Sequence, residues 1–289
     1  MNLQHSELIL NSDGSIYHLN LKPEHISTDI IFVGDQDRVD KVTKYFSNIE
    51  YSTQKREFKT TTGFYKGKRL TVISTGIGPD NIDIVLNELD ALVNIDLETR
   101  QINKKHTTLN ITRIGTSGSL QTSLPTDSFL LSTHAIDLNG LLHFYQTDSI
   151  ATPEIEKAFV RHMNWSIKKS YPLVVKSGNN LEKKLDSALV YKGITATSGG
   201  FYGPQGRVLR LGLADPNMNK KMNSFAFNRN KITNLEMETS AIYGLSKLMG
   251  HNAISINAII ANRANGTFSS HPSQTVDNLI RYTLNKLVD

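Results

Sequence analysis

The feature that most constrains the fold is a set of β-branched runs that end at glycine turns and lead into helical patterns. Residues 30–33 form such a run before Gly34, and residues 69–74 form another before a glycine-rich turn. Apolar residues at helical spacing follow these turns, in 39–46 and in 81–93. Strands that alternate with helices predict an α/β fold with a largely buried sheet.

The same patterns place the remaining elements. Further strands are predicted at 58–65, 111–114, 128–136, 141–145, 193–198 and 253–261. Helices are predicted at 153–165, from 234 to about 249, and at 276–288.

Composition indicates a globular chain that is long enough for a substantial core. Of 289 residues, 38% are hydrophobic and 20% are charged. The net charge of +5 comes from 32 basic residues dispersed among 27 acidic ones, which suits small anionic ligands better than nucleic acid. The absence of cysteine excludes disulfides and thiolate chemistry and fits a reducing compartment.

The amino-terminal residues and the lengths of the apolar runs predict a cytoplasmic location. Residues 1–15 carry acidic and polar side chains where a signal peptide needs a basic start and an apolar run. No apolar stretch approaches the roughly 20 residues that span a bilayer. We therefore expect no association with a membrane.

The segment 111–120 has the composition of an anion site. An apolar run leads to one arginine and then to a row of small residues, Arg113, Gly115, Thr116, Ser117 and Gly118. Glycines let the backbone approach a ligand closely, hydroxyl and N–H groups can surround oxygens, and the guanidinium adds a planar charged fork. A strand that merely ends in an arginine and a glycine turn would show the same pattern.

A second cation lies where the first helix is expected to begin. Asp35 or Asp37 suits the N-cap, and Arg38 would project from the first turn. The helix N-terminus is already positive, so the arginine and the dipole would both favour an anion there. A surface ion pair with one of the two aspartates is the alternative.

A glycine-rich segment at 199–207 offers a different set of groups. Phe201 can stack on a ring, and Gln205 and Arg207 are two residues apart, which would place them on one face of an extended backbone. An amide beside a guanidinium suits a flat heterocycle with carbonyl and N–H edges. A mobile surface loop is the alternative.

Two carboxylates lie where a later helix is expected to begin. Met237 and the apolar residues after it recur at helical spacing, which would place Glu236 and Glu238 in the first turn. Residues two apart on a helix are separated by about 200°, which argues against an acid–base pair. One carboxylate could accept hydrogen bonds from a vicinal diol while the other caps the helix; ordinary helix-start acids are the alternative.

Six segments, in order, resemble the signature segments of the nucleoside phosphorylase family, most of all its uridine-directed branch. They are GDQDRV at 34–39, REF at 56–58, STGIG at 74–78, RIGTSG at 113–118, FYGPQGR at 201–207 and LEMET at 235–239. The resemblance implies one α/β domain over 1–289, with a central mixed, partly barrel-like β-sheet flanked by helices. It also implies a homodimer or a hexamer of dimers.

The resemblance also implies an activity and a site. The activity is phosphorolysis of a pyrimidine nucleoside, uridine plus phosphate to uracil plus ribose 1-phosphate, with no metal, cofactor or covalent intermediate. Phosphate would be bound by Gly34, Arg38, Arg113 and Thr116, with Arg56 from the neighbouring subunit. Ribose would be bound by Glu236, Met237, Glu238 and a neighbouring His18. The base would lie among Ser117, Gly118, Phe201, Gln205, Arg207 and Arg263.

One difference from purine-directed relatives and two departures from the family pattern affect the expected specificity and the expected binding of a cation. Purine-directed relatives have an aspartate in place of Arg263, which favours a pyrimidine here. The segment Pro79-Asp80-Asn81 puts in doubt a monovalent cation site that some relatives form near Asn81 and Glu57. The base-binding loop reads GPQGR rather than PGQER, which leaves open the selectivity between uridine, thymidine and their deoxy forms. A purine nucleoside phosphorylase, a nucleosidase of the same fold and a non-catalytic nucleoside- or anion-binding protein remain the alternatives.

Overall fold

The computed structural model describes residues 3–289, which form a twelve-stranded sheet, a two-stranded ribbon and surrounding helices. The strands are β1 (Asp29–Val33), β2 (Asn48–Lys55), β3 (Phe58–Tyr65), β4 (Lys68–Ser74), β5 (Ile95–Asp96), β6 (Gln101–Ile102), β7 (Asn110–Ser119), β8 (Phe129–Asp137), β9 (Leu173–Lys176), β10 (Val190–Thr197), β11 (Ala226–Phe227), β12 (Asn230–Glu236), β13 (Asn252–Asn262) and β14 (Thr267–Phe268). The helices are α1 (Gln36–Thr43), α2 (Pro79–Asn94), α3 (Pro153–Met163), α4 (Asn179–Leu185), α5 (Met218–Ser224), α6 (Thr239–Leu248) and α7 (Pro272–Val288).

Five strands of the large sheet close into a barrel. The order around it is β12, β10, β8, β13 and β7, and β7 pairs again with β12. That last seam is antiparallel and places Leu235 opposite Gly118 and Asn234 opposite Ser119. The strands β1, β4, β3 and β2 continue the sheet outward from β7. The mixed, partly barrel-like sheet is therefore confirmed.

Burial of apolar strand and helix faces holds the helices against the sheet. In α2, side chains at helical spacing such as Ile82, Val85 and Leu89 are fully buried, as the amphipathic pattern predicts. Each fully buried aliphatic side chain contributes about 1.5–3 kcal/mol relative to exposure. The strands predicted at 58–65 and 69–74 are also confirmed, and they pair as a hairpin with its turn at Lys66 and Gly67, both in the left-handed region. Within residues 3–289 no helix is both long and apolar enough to cross a membrane.

Two predicted elements are wrong, and β7 is longer than predicted, because it continues to Ser119 through the glycines that were expected to form a turn. Residues 141–145 form a short 3-10 turn, Leu141–Phe144, rather than a strand. Strand β8 ends at Asp137, whose carboxylate accepts hydrogen bonds from the N–H groups of Asn139 and Gly140, and Gly140 then turns the chain with a φ of 91°.

The second error concerns the start of α6. Residues 234–236 belong to β12, which is held on one side by β10 and on the other by β7, and the helix begins only at Thr239. Pairing on both edges has overridden the helical spacing of the apolar residues.

Candidate active site

A cavity of about 270 Å³ lies at the end of the barrel where β7 and β12 meet. Twelve of the fifteen site residues expected from the sequence line it: Gly34, Arg38, Arg113, Thr116, Ser117, Gly118, Phe201, Gln205, Arg207, Glu236, Met237 and Glu238. A larger cleft of about 1000 Å³ near the amino-terminal segment contains none of them. The site residues expected from the sequence are therefore concentrated in the smaller cavity.

Arg113 is a buried charge in the wall of this cavity. Its Nη2 lies 2.5 Å from Glu238 Oε2 and 3.5 Å from Glu236 Oε2, and its Nη1 donates to Asn257 Oδ1 at 2.9 Å. Burial alone would lower the pKa of Arg113, but the two carboxylates outweigh it and raise the pKa. Burial raises the pKa of Glu238, and Arg113 opposes that shift. The arginine is thus a permanent cation in the cavity wall.

Gly115 provides the space in which the Arg113 guanidinium lies. A Cβ added at Gly115 would stand 1.8 Å from Arg113 Nη1 and 2.5 Å from Asn257 Oδ1. The Arg113 side chain therefore lies along its own strand, over the residue two positions later, and only a glycine at that position leaves room for it. The expectation that this glycine admits a ligand is corrected: it admits the arginine.

Replacing Gly115 with alanine should displace the guanidinium and lower both stability and activity. Overpacking of a tight site costs about 1–3 kcal/mol, and the displaced charge would lose its partners. The free energy of unfolding from urea titration and the steady-state rate measure the two effects. Gly212→Ala is the matched control, because an added Cβ there meets nothing within 4 Å. Equal effects of the two substitutions would refute the steric assignment.

Arg38 brings a second guanidinium to the cavity. Asp35 is the N-cap of α1: its Oδ1 accepts from the Arg38 N–H at 2.8 Å, and its Oδ2 lies 2.7 Å from Arg38 Nη2. The ion pair with an aspartate is therefore confirmed, and Arg38 also lines the cavity, whereas its binding of an anion stays a prediction. Burial lowers the pKa of Arg38, Asp35 opposes this shift, and Arg113 lowers the pKa further. An anion between the two guanidiniums would relieve their repulsion.

The two acidic residues are placed differently from the expectation. Glu236 ends β12 and Glu238 is the N-cap of α6, so the separation calculated for a helix does not apply and both side chains reach Arg113. Glu236 accepts from Thr197 Oγ1 at 2.7 Å and from the N–H groups of Glu238 and Thr239, each at 2.9 Å. These bonds occupy most of its lone pairs. It therefore caps the helix.

Glu238 keeps acceptor capacity for a ligand. Its Oε1 accepts from the Gly78 N–H at 2.8 Å, and its Oε2 accepts from Arg113. An ionised carboxylate has about four lone-pair sites, so about two remain available. That capacity matches two hydroxyl groups.

The loop after β10 forms the other end of the cavity. Residues Gly203–Gln205 form a 3-10 turn and Gly206 has a φ of 67°, so the extended backbone expected here is wrong. Gln205 and Arg207 nevertheless meet, because Arg207 Nη1 donates to Gln205 Oε1 at 2.7 Å. The guanidinium also lies 3.8 Å from the centroid of the Phe201 ring. With Oε1 taken by a group that only donates, Gln205 has its NH₂ left to offer.

The other three expected residues do not line the cavity. Arg263 lies behind the loop, where its Nη1 donates to the Gln205 carbonyl at 2.5 Å, and burial together with Arg207 lowers its pKa to about 10. His18 Nδ1 lies 2.6 Å from Glu88 Oε1. Arg56 is exposed in the turn between β2 and β3, with a φ of 54°. The assignment of His18 and Arg56 to a neighbouring site stays a prediction.

The sequence interpretation missed several residues at this site. Ile77, Ile260 and Phe268 line the cavity, and Asn257 is bonded to Arg113 beneath it. The apolar residues gave no signal that separates them from core. Asn257 did give one, since it is an amide in the middle of an apolar strand, where an unpaired polar group is costly.

Comparison with known proteins agrees with this geometry. The chain is 27% identical to the uridine phosphorylase of Thermococcus kodakarensis over 265 residues, which covers 89% of this chain and 80% of that protein. It is 26% identical to the DeoD-type purine nucleoside phosphorylase of Alkaliphilus metalliredigens over 270 residues, or 92% and 97% of the two chains. The crystal structure of a Trypanosoma brucei nucleoside phosphorylase, described as showing uridine phosphorylase activity, has a TM-score of 0.87 and 31% identity, with 97% of this chain and 99% of that chain covered.

The family model of the phosphorylase superfamily matches residues 28–285. That range contains every strand of the barrel and all the residues that line the cavity. The chain is accordingly an enzyme of the phosphorylase superfamily.

Proposed function

We propose that the protein catalyses reversible phosphorolysis of uridine, which gives uracil and ribose 1-phosphate. The observation that carries this proposal is that one cavity contains two guanidiniums, a carboxylate with free acceptor capacity and a loop rich in donors. These three sets match the phosphate, the ribose and the base of the reaction. Inorganic phosphate is the co-substrate, and the proposed chemistry needs no cofactor.

Charge placement accounts for the reaction. Arg38 and Arg113 hold the phosphate dianion beside the anomeric carbon, together with the hydroxyl of Thr116 and the backbone at Gly34. As the glycosidic bond breaks, the sugar becomes cationic and the nearby dianion stabilises it before adding to it. Glu238 accepts hydrogen bonds from the ribose hydroxyls and fixes the ring, with Met237 against it.

The base end supports a pyrimidine that carries carbonyl oxygens. The Gln205 NH₂ and the Arg207 guanidinium are donors, and Arg263 adds positive charge behind them. They stabilise negative charge that grows on uracil as it leaves, and Phe201 offers a ring for stacking. A purine nucleoside is the second candidate, because purine nucleoside phosphorylases are among the relatives at similar identity.

Incubation with uridine, thymidine and inosine, each with and without phosphate, tests the proposal through release of the free base. We expect uracil from uridine only when phosphate is present, with ribose 1-phosphate in equal amount. Release that does not depend on phosphate would indicate a nucleosidase. Release from inosine alone would indicate a purine phosphorylase, and release from none of the three would overturn the proposed reaction.

We also propose that the site is completed by a second copy of the chain, as a homodimer or a hexamer of dimers. His18 and Arg56 carry the groups expected of a ribose and phosphate site but lie off the cavity of their own chain. Arg56 is exposed at the end of the edge strand β2, where a neighbouring chain can reach it.

Mixing two inactive variants should restore activity if Arg56 acts in the neighbouring site. Arg113→Gln and Arg56→Ala each damage one side of the contact, and a mixed dimer contains one intact site. Random pairing in a two-fold dimer should recover about a quarter of the wild-type activity after the variants are refolded together. Refolding each variant alone is the control. No recovery in a mixture that forms dimers would place Arg56 in its own chain or outside the site.

A further inference from the structure

Asn257 is a buried carboxamide in the middle of β13, and it touches the Arg113 guanidinium from the side away from the acids. Its Oδ1 accepts from Arg113 Nη1 at 2.9 Å, its side chain is fully buried, and it is not among the cavity-lining residues. We propose that Asn257 is a positioning residue that holds Arg113 in the orientation that binds phosphate. This inference rests on the proposed function, because it deepens the role given there to Arg113.

The orientation of the carboxamide is fixed by hydrogen-bond chemistry. A guanidinium can only donate, so Oδ1 must face Arg113 and Nδ2 must face the other way. Nδ2 donates to Ser255 Oγ at 3.2 Å, and Ser255 Oγ also accepts from Thr239 Oγ1 at 3.0 Å. Thr239 is the first residue of α6, directly after Glu238. The network therefore connects the guanidinium to the helix that carries its acidic partner.

The two acids by themselves would pull the guanidinium to one side. Both contacts from Glu236 and Glu238 reach Nη2, whereas Asn257 is the neutral acceptor at Nη1. With Nη2 directed to the acids and one Nη1 hydrogen directed to Asn257, two of the five N–H donors of the guanidinium are left for other acceptors. A neutral amide holds the group without cancelling the charge that phosphate needs.

The space around this contact allows one arrangement. The carboxamide oxygen and Nη1 both lie over Gly115, so close that no Cβ fits there. Without the carboxamide, the guanidinium would lose the neutral acceptor that opposes the pull of the two acids. We therefore expect Asn257 to act on the binding of phosphate more than on the binding of nucleoside.

Replacement of Asn257 with leucine removes the acceptor and keeps a side chain that branches at Cγ, although the leucine is bulkier. Hydrogen bonds to a charged group are strong enough that the KM for phosphate should rise by about 10- to 100-fold. The KM for uridine should change by less than about threefold, because Glu238 keeps its contact with Gly78. Calorimetric titration with inorganic phosphate alone should show the same weakening without any turnover.

Asn94→Leu is the matched control for loss of a buried amide. Asn94 is also buried and bonded, to Asp90 and to the backbone of Thr107, but it lies at the far end of α2. It should lower the melting temperature and leave the KM for phosphate unchanged. Ser255→Ala is a milder second variant, which leaves Asn257 in place but removes the partner of its Nδ2, and a smaller rise in the KM for phosphate is expected.

The possible outcomes separate this inference from the proposed function. If the wild type releases uracil only with phosphate but N257L and S255A keep the KM for phosphate within twofold, the role of Asn257 is refuted and the function stands. Equal rises in both KM values would make Asn257 a structural residue only. If the wild type shows no phosphorolysis, the calorimetric titration decides. The inference is overturned if the wild type binds no phosphate, or if N257L binds phosphate as tightly as the wild type.

Discussion

Arg113→Gln is expected to lower kcat/KM for phosphate in the phosphorolysis of uridine by about three orders of magnitude. On the proposed function, the glutamine would lose two charge-assisted hydrogen bonds to phosphate, at about 1.5–3 kcal/mol each. It also leaves Glu236 and Glu238 buried together without a counter-ion. Breaking a buried ion pair on one side costs about 3–5 kcal/mol of stability, so the free energy of unfolding should fall as well.

Steady-state kinetics at saturating uridine and a urea titration measure both losses. Lys192→Gln is the control, because its ion pair with Asp186 is exposed and should contribute within about 1 kcal/mol. A variant of Arg113 that keeps more than a tenth of the wild-type activity would contradict the central place given to this arginine.

The second large effect is expected at Glu238, and it should be absent at its neighbour Glu236. Glu238 faces two donors, the Gly78 N–H and the Arg113 guanidinium. In Glu238→Gln the oxygen can satisfy only one of them, and the NH₂ must point at the other donor. The variant would also lose the charge that we propose accepts hydrogen bonds from the ribose hydroxyls. We expect a fall of about 100-fold or more in kcat/KM for uridine.

Glu236→Gln should retain its hydrogen bonds. Its amide oxygen can accept from the N–H groups of Glu238 and Thr239, and its NH₂ can donate to Thr197, because a hydroxyl can also accept. Its activity should stay within about tenfold of the wild type. Comparable losses in the two variants, in protein of equal melting temperature, would mean that Glu236 contacts substrate too.

The parts of the fold that were predictable are those whose local pattern agrees with their environment. The buried strands and the amphipathic helix α2 have apolar faces that their neighbours cover, so the pattern alone identifies them. Strand β2 was missed because it is an edge strand with mainly exposed side chains and no apolar face. The last three residues of β12, 234–236, were predicted as the start of a helix because the helical spacing from Met237 onward was extended back to them. Only their pairing with two neighbouring strands decides their conformation.

The candidate site shows the same division. Arg38, Arg113, Gln205 and Arg207 carry chemistry that the sequence displays directly, and the structure brings all four to one cavity. The role of Gly115 could not be predicted from the sequence, because it depends on the conformation of the Arg113 side chain, which lies over it. The predicted place of Glu236 was wrong because the helix was expected to begin too early. Its angular separation from Glu238 was therefore calculated for helical geometry, which does not apply to these residues.

The seam between β7 and β12 has a consequence for how the molecule acquires its cavity. The seam joins strands that are far apart in the sequence, and Arg113 and Glu238 are 125 residues apart. Closing a long segment of chain costs entropy that is regained only when the seam and its contacts form together. A chain with an open seam would keep most of its hydrogen-bonded sheet. Its cavity residues on β7 and on β12 would then lie apart, and the cavity that they line together would not form.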